Sequence, residues 1–194
     1  MALRKSLLRA VIVLSLGSVS AFGQTQIRFV EYSAKFLCGT VEKSRGSGPV
    51  RPGTYETSIN IHNPQLPLNP LPSVLFVKKV VLSLPEGEKP TPPSAFRRDT
   101  LQADFAEHVD CKIIRDMLGP AGGAPFVEGF VVLIVFPSPI TTPHELDVVG
   151  VYTVDTPQQS IALEMVPIAP RVLVFPTAAG TKLQKQMMEQ SKPQ

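Results

Sequence analysis

Residues 126–136 read FVEGFVVLIVF, an extended run that is apolar on nearly every position of both faces, and residues 73–84 read SVLFVKKVVLSL, apolar on both faces apart from Lys78 and Lys79. Short apolar runs of this kind, rich in Val, Ile and Phe, are interior strands of a sheet covered on both sides. Outward from them the pattern changes to strict alternation. Tyr55, Thr57, Ile59 and Ile61 lie on one face of a strand and Glu56, Ser58, Asn60 and His62 on the other, bounded by Pro52-Gly53 and Asn63-Pro64. Residues 146–155 and 159–166, separated by Thr156-Pro157-Gln158, read as a hairpin in which Ile161, Leu163 and Met165 point inward. Residues 26–37, a weaker run at 101–105 and a last one at 171–175 bring the runs to eight, about seven strands when the weaker one is set aside.

One helix stands out. Asp110 can cap a turn that brings Ile113, Ile114, Met117 and Leu118 onto one side, and Gly119-Pro120 ends it, as caps and breakers do. Proline-rich stretches at residues 63–72, 85–93 and 137–143 are long loops of restricted backbone. The chain contains 20 prolines, roughly twice the average usage of about 5%. These features predict a mainly β fold: an antiparallel β-sandwich, Ig-like or related, of about seven strands with one short helix, with a partly open barrel as the alternative.

The first 23 residues have the form of a secretory signal peptide. Arg4, Lys5 and Arg9 precede an apolar run over residues 10–22, and small residues allow cleavage after Ala21 or after Gly23. A permanent membrane anchor would need about 20 apolar residues. The expected product is exported to the periplasm or beyond, with one domain over residues 24–176 and a polar, solvated tail over residues 177–194. The leader takes three cations and no acid. Of 19 Lys and Arg, 16 then remain against 16 Asp and Glu, so the mature chain is formally neutral and offers no basic patch for nucleic acid. Cys38 and Cys111 are the only cysteines, and in an oxidising compartment such a pair is expected to form a disulfide, tying the helix to the strand that ends at Cys38-Gly39.

The motifs weigh against an enzyme. His62, His108 and His144 are far apart and none has a second His or Cys at ligand spacing, so neither metal nor cofactor is expected. No nucleophile motif is present, and Ser47, between Gly46 and Gly48, fits a turn. Glu128 on its apolar strand reads as an edge residue or half of an ion pair. One of Lys78 and Lys79 must share a face with Val74, Phe76, Val80 and Leu82. Either the strand reaches an edge or a bulge there, where lysine discourages pairing, or the lysine binds an anion or partner while paired with an acid of a neighbouring strand. Asn60 and His62, on the polar face of their strand, join the two lysines as candidate partner or anion contacts.

Lys35-Phe36-Leu37-Cys38-Gly39, Pro52-Gly53-Thr54-Tyr55, Ile59-Asn60-Ile61-His62-Asn63-Pro64, Val109-Asp110-Cys111, Phe126-Val127-Glu128-Gly129-Phe130-Val131 and Leu146-Asp147-Val148-Val149-Gly150-Val151-Tyr152-Thr153 together resemble a domain that recurs in exported bacterial proteins with no assigned function. The similarity covers about residues 30–166 and implies a bacterial envelope or secreted setting. The expected role is a non-catalytic binding or accessory module of the envelope, with another envelope protein as partner. The alternatives are a carrier of a small apolar ligand and a hydrolase using Asp and His from the loops.

Overall fold

The computed structural model describes residues 26–42, 50–67, 73–137, 145–156 and 159–193. Residues 1–25, where the leader is expected, Ser47, His144 and parts of two proline-rich stretches lie outside them. In chain order the elements are β1 (Gln26–Val41), β2 (Gly53–His62), β3 (Ser73–Leu82), β4 (Arg97–Gln102), β5 (Ala106–Asp110), α1 (Cys111–Leu118), β6 (Phe126–Val135), β7 (Asp147–Thr156), β8 (Gln159–Pro167), β9 (Arg171–Pro176), α2 (Thr177–Gln190) and β10 (Lys192–Pro193). The strands form one sheet in the order β10-β4-β3-β6-β1-β2-β7-β8, with β5 added to β2 and β9 to β1. Every pairing is antiparallel except that of β10 with β4. The expected mainly β, sandwich-like class is what the chain adopts, and the strand order is open at β10 and β8 rather than closed into a barrel.

Two expectations change. The single strand expected at 101–105 is two strands, because Ala103, Asp104 and Phe105 form the link that moves the chain from β4, paired with β3, to β5, paired with β2. Asp104 has φ 61, a left-handed conformation that Asp tolerates better than most residues. Its amide donates to the Asn63 carbonyl at 2.9 Å, and the Asn63 amide donates to the Phe105 carbonyl at 3.0 Å.

The tail expected at 177–194 is mostly helix. Gly180, Leu183 and Met187 recur at helical spacing along α2, and Met187 is buried with Phe29, Val77, Ile134 and Phe136 in a second core on the outer face of the sheet. Gly180 lies so close to Ile27 that a Cβ there would be 2.8 Å from the Ile27 Cβ. The helix forms because it covers that apolar face.

The main core lies between the folded halves of the sheet. Val30, Tyr32, Ala34, Phe36 and Cys38 of β1 meet Ile59 and Ile61 of β2, Val74, Phe76 and Val80 of β3, and Val127, Val131, Leu133 and Val135 of β6, each set at intervals of two or four residues as pleating requires. Helix α1 closes one end with Ile114 and Met117. Asp110 is its N-cap, with the side chain accepting from the Ile113 amide at 2.8 Å. No helix among the described residues is long and apolar enough to cross a membrane.

Cys38 and Cys111 form the expected disulfide, joining β1 to the start of α1. Just beyond it, Gly39 has φ 108, and a Cβ there would strike the Pro125 carbonyl oxygen. Glycine therefore lets β1 pass beside the segment leading into β6. Arg115 of α1 fastens the same corner by donating to the carbonyls of Cys38 at 2.8 Å and Ala124 at 2.7 Å.

The disulfide links residues 73 positions apart, a loop whose closure restrains the unfolded chain by about 4 kcal/mol. At about 2–4 °C per kcal/mol for a domain of this size, reduction should lower Tm by roughly 10 °C. Circular-dichroism melts with and without reductant measure this. An unchanged Tm would mean that the bridge adds nothing to stability.

Candidate functional site

Lys78 belongs to the inward-facing series of β3, with Val74, Phe76 and Val80. The edge-strand reading fails, since β3 lies between β4 and β6. The side chain is 2% exposed, and its Nζ donates to Asp99 Oδ2 of β4 and Glu107 Oε1 of β5, each at 2.9 Å. Asp99 is on the strand beside β3, whereas Glu107 comes from the strand added to β2, so one ammonium joins two parts of the folded sheet. Desolvation raises the Glu107 pKa and the nearby Asp99 charge adds to the rise. The hydrogen bond and charge of Lys78 oppose it. A buried cation removed from water needs such partners, and this arrangement is structural. Lys79, the next residue, points the other way and lies 5.1 Å from the centre of the Phe96 ring.

Asn60 and His62 face outward from β2 and are not gathered with either lysine. Asn60 Oδ1 accepts from Ser58 Oγ at 3.3 Å. His62 stands between two carboxylates, Nδ1 3.3 Å from Asp147 and Nε2 3.5 Å from Asp104. The adjacent Asn63 is fully buried, and its Nδ2 donates to the Leu101 carbonyl at 3.0 Å. The His-Asn pair thus braces the β4–β5 link from both sides. Glu128 is half of an ion pair with Lys35 at 3.4 Å, as its place on an apolar strand suggested. Among the described residues, no group of three or more His, Cys, Asp or Glu side chains is placed to hold a metal ion.

A site that the sequence reading did not name lies along β1. On the side away from β6, β1 pairs with β9 as far as Glu31 and with β2 only from Gly39. Between those points its ladder is interrupted. Side chains bridge part of the gap. Thr57 Oγ1 accepts from the Leu37 amide at 3.0 Å and donates to the Leu37 carbonyl at 2.9 Å, while the Tyr152 hydroxyl donates to the Lys35 carbonyl at 2.9 Å. Burial and then the charge of Glu164 raise the Tyr152 pKa. Farther along the seam, Tyr32 is pushed up to about 12, mainly by burial, and its oxygen accepts from the Leu146 amide at 2.7 Å.

Beside the interrupted ladder is a solvent-open groove of about 420 Å³, walled by Lys35, Leu37, Tyr55, Tyr152, Val154 and Leu163. Its surface is largely apolar and aromatic, with Lys35 and Glu164 as charged groups at hand. A volume near 400 Å³ falls within the usual range for ligand sites, about 300–1,000 Å³, and tyrosine offers both a flat apolar ring and a hydroxyl to a ligand. The groove assembles from strands distant in sequence. The local signal is limited to the tyrosines of the GTY and VYTV runs, the second of them flanked by valines.

Replacing Lys78 with Met should cost about 3–5 kcal/mol, because it leaves two carboxylates facing each other in the interior. For Glu107, the native state holds its proton to higher pH than the unfolded chain does. Its contribution therefore favours folding below the ordinary carboxylate value of 4.5 and is lost as pH rises through the elevated native value. Glu107→Gln should remove that decline, read as a flatter dependence of urea-unfolding free energy on pH; an unaltered slope would refute the assignment. Comparisons of the chain with protein-family models, with curated proteins and with solved structures found no match.

Proposed function

We propose that this chain is an exported, non-catalytic binding or accessory module of the bacterial envelope, and that it holds an extended segment of another envelope protein in the groove between β1 and β7–β8. The observation that carries the reading is the groove itself. It lies where the β1 ladder is interrupted and Thr57 and Tyr152 hold the Leu37 and Lys35 backbone groups, so it would receive an extended segment chiefly through side-chain pockets, the part of such sites that gives specificity. Its walls include Tyr55, Tyr152, Leu37, Val154 and Leu163, aromatic and aliphatic side chains that bind by contact. The conspicuous polar groups elsewhere, Lys78 with its two acids and His62 with its two, serve the framework.

A carrier of a small apolar ligand would use space between the halves of the sheet. That space is filled by Tyr32, Phe36, Phe76 and Leu133, none more than 1% exposed. Export is supported by the form of the leader and by the disulfide, which suits an oxidising compartment.

Photocrosslinking in cells that export the protein tests the reading. A benzophenone amino acid in place of Val154 should trap a discrete envelope protein, and the same group in place of Lys112, on the exposed face of α1, should not. A synthetic peptide covering the trapped segment should bind the purified protein, and Val154→Asp should weaken it at least about tenfold, a loss of roughly 1.4 kcal/mol. Equal trapping at both positions, or a peptide indifferent to Val154→Asp, would overturn the proposal. The intact mass of protein from the exported fraction checks the setting: it should match an oxidised chain beginning at Phe22 or Gln24.

A further inference from the structure

The hairpin of β7 and β8 carries its apolar residues on the unexpected face. In the observed register Leu163 pairs with Thr153 and Met165 with Val151, while the inward positions of β7 are Val148 and Gly150. Leu163 and Met165 therefore face outward, 60% and 67% exposed, and the inward orientation expected from alternation is corrected. Alternation defines two faces, and the register with β7 decides which of them meets the core.

Strand β8 is also an edge. It ends the strand order and, among the described residues, pairs only with β7. Soluble proteins blunt such edges with lysine, internal proline, bulges or short strands. At the opposite end of the sheet β4 carries Arg97, Arg98 and Asp99 and is partly covered by β10. β8 is nine residues long, contains no Lys or Arg, has its one proline at the last position and its one charge at Glu164. The ladder irregularity lies near the hairpin turn, between Val154 and Thr156, leaving Ala162 to Pro167 in regular register with β7.

We infer that β8 is the seat of a symmetric dimer in which two copies of this chain pair β8 with β8, antiparallel and centred on Leu163. Leu163 is the middle residue of β8, so this centre alone pairs the whole strand. It sets Glu164 opposite Ala162 of the second copy. A centre on Glu164 would oppose two carboxylates, a destabilising cross-strand pair. A centre on Met165 would shorten the overlap to five residues, from 163 to 167. Centring on Leu163 makes the contact isologous, as a two-fold dimer requires, and lays the two exposed Leu163 side chains next to each other across the axis. The contact continues the sheet across both molecules and removes its least protected edge. The inference does not depend on what the groove binds.

Light scattering on the size-exclusion eluate of the oxidised protein tests the oligomer, and cysteine substitution tests the register. The wild type should elute with twice the chain mass and dissociate on dilution. Met165→Lys, at an exposed position, should be monomeric and keep the far-UV circular-dichroism spectrum of the wild type. Under mild oxidation Leu163→Cys should link two chains, because the paired Cα atoms of an antiparallel ladder lie about 4.5–5.5 Å apart. Glu164→Cys should not, since two residues of stagger take its Cα pair beyond the roughly 7 Å limit for a disulfide. A wild type that is monomeric at every concentration would overturn the inference. So would a dimer untouched by Met165→Lys, or one linked more readily through Glu164→Cys.

Discussion

The ten-residue ladder between β1 and β6, from Val30 opposite Val135 to Gly39 opposite Phe126, is the constraint on which the remaining architecture rests. It fixes β1 along one side, and the other side of β1 then receives β9 near its start and β2 near its end. A strand with different partners at its two ends carries one sheet around a corner. The sandwich-like core and the gap that becomes the groove are two results of that bend. The disulfide and Arg115 secure the far end of β1, where Gly39 lets the backbone pass the carbonyl of Pro125.

Polar residues inside this fold are used as joints. Lys78 gathers acids from β4 and β5, and Asn63 holds the short link between those strands. Both lie where the chain passes from one half of the sheet to the other, and there strand pairing alone does not fix the geometry. Directional hydrogen bonds and a paired charge specify it, at the cost of desolvation that raises the Glu107 pKa. Residues that look functional because they are polar and clustered in motifs, such as Asn60-Ile61-His62-Asn63, owe much of their pattern to this bracing role.

The surfaces left for recognition are less polar than the joints. The groove beside β1 is walled by tyrosine and aliphatic side chains, and β8 beside it presents an open edge with Leu163 and Met165 outward. Leu163 belongs to both features. Binding in the groove and pairing along the edge would consequently occur on neighbouring surfaces of one hairpin.

Much of the secondary structure was legible because its signals are local. Period-two alternation marked β2, two-sided apolar runs marked β3 and β6, and Asp110 with Gly119-Pro120 marked both ends of α1. Two cysteines in a chain whose first residues have the form of an export leader point to the disulfide. Helix α2 was missed because its apolar spacing, Gly180, Leu183 and Met187, is sparse and depends on the face that it covers. The sequence by itself determined that these segments are strands or helix and that each has two distinct faces. Tertiary structure alone decided which face turns inward, which acids meet Lys78 and where β1 loses its neighbour. Those outcomes depend on strand register and on contacts between distant segments, and a shift of one residue in register exchanges the buried and exposed sides of a strand.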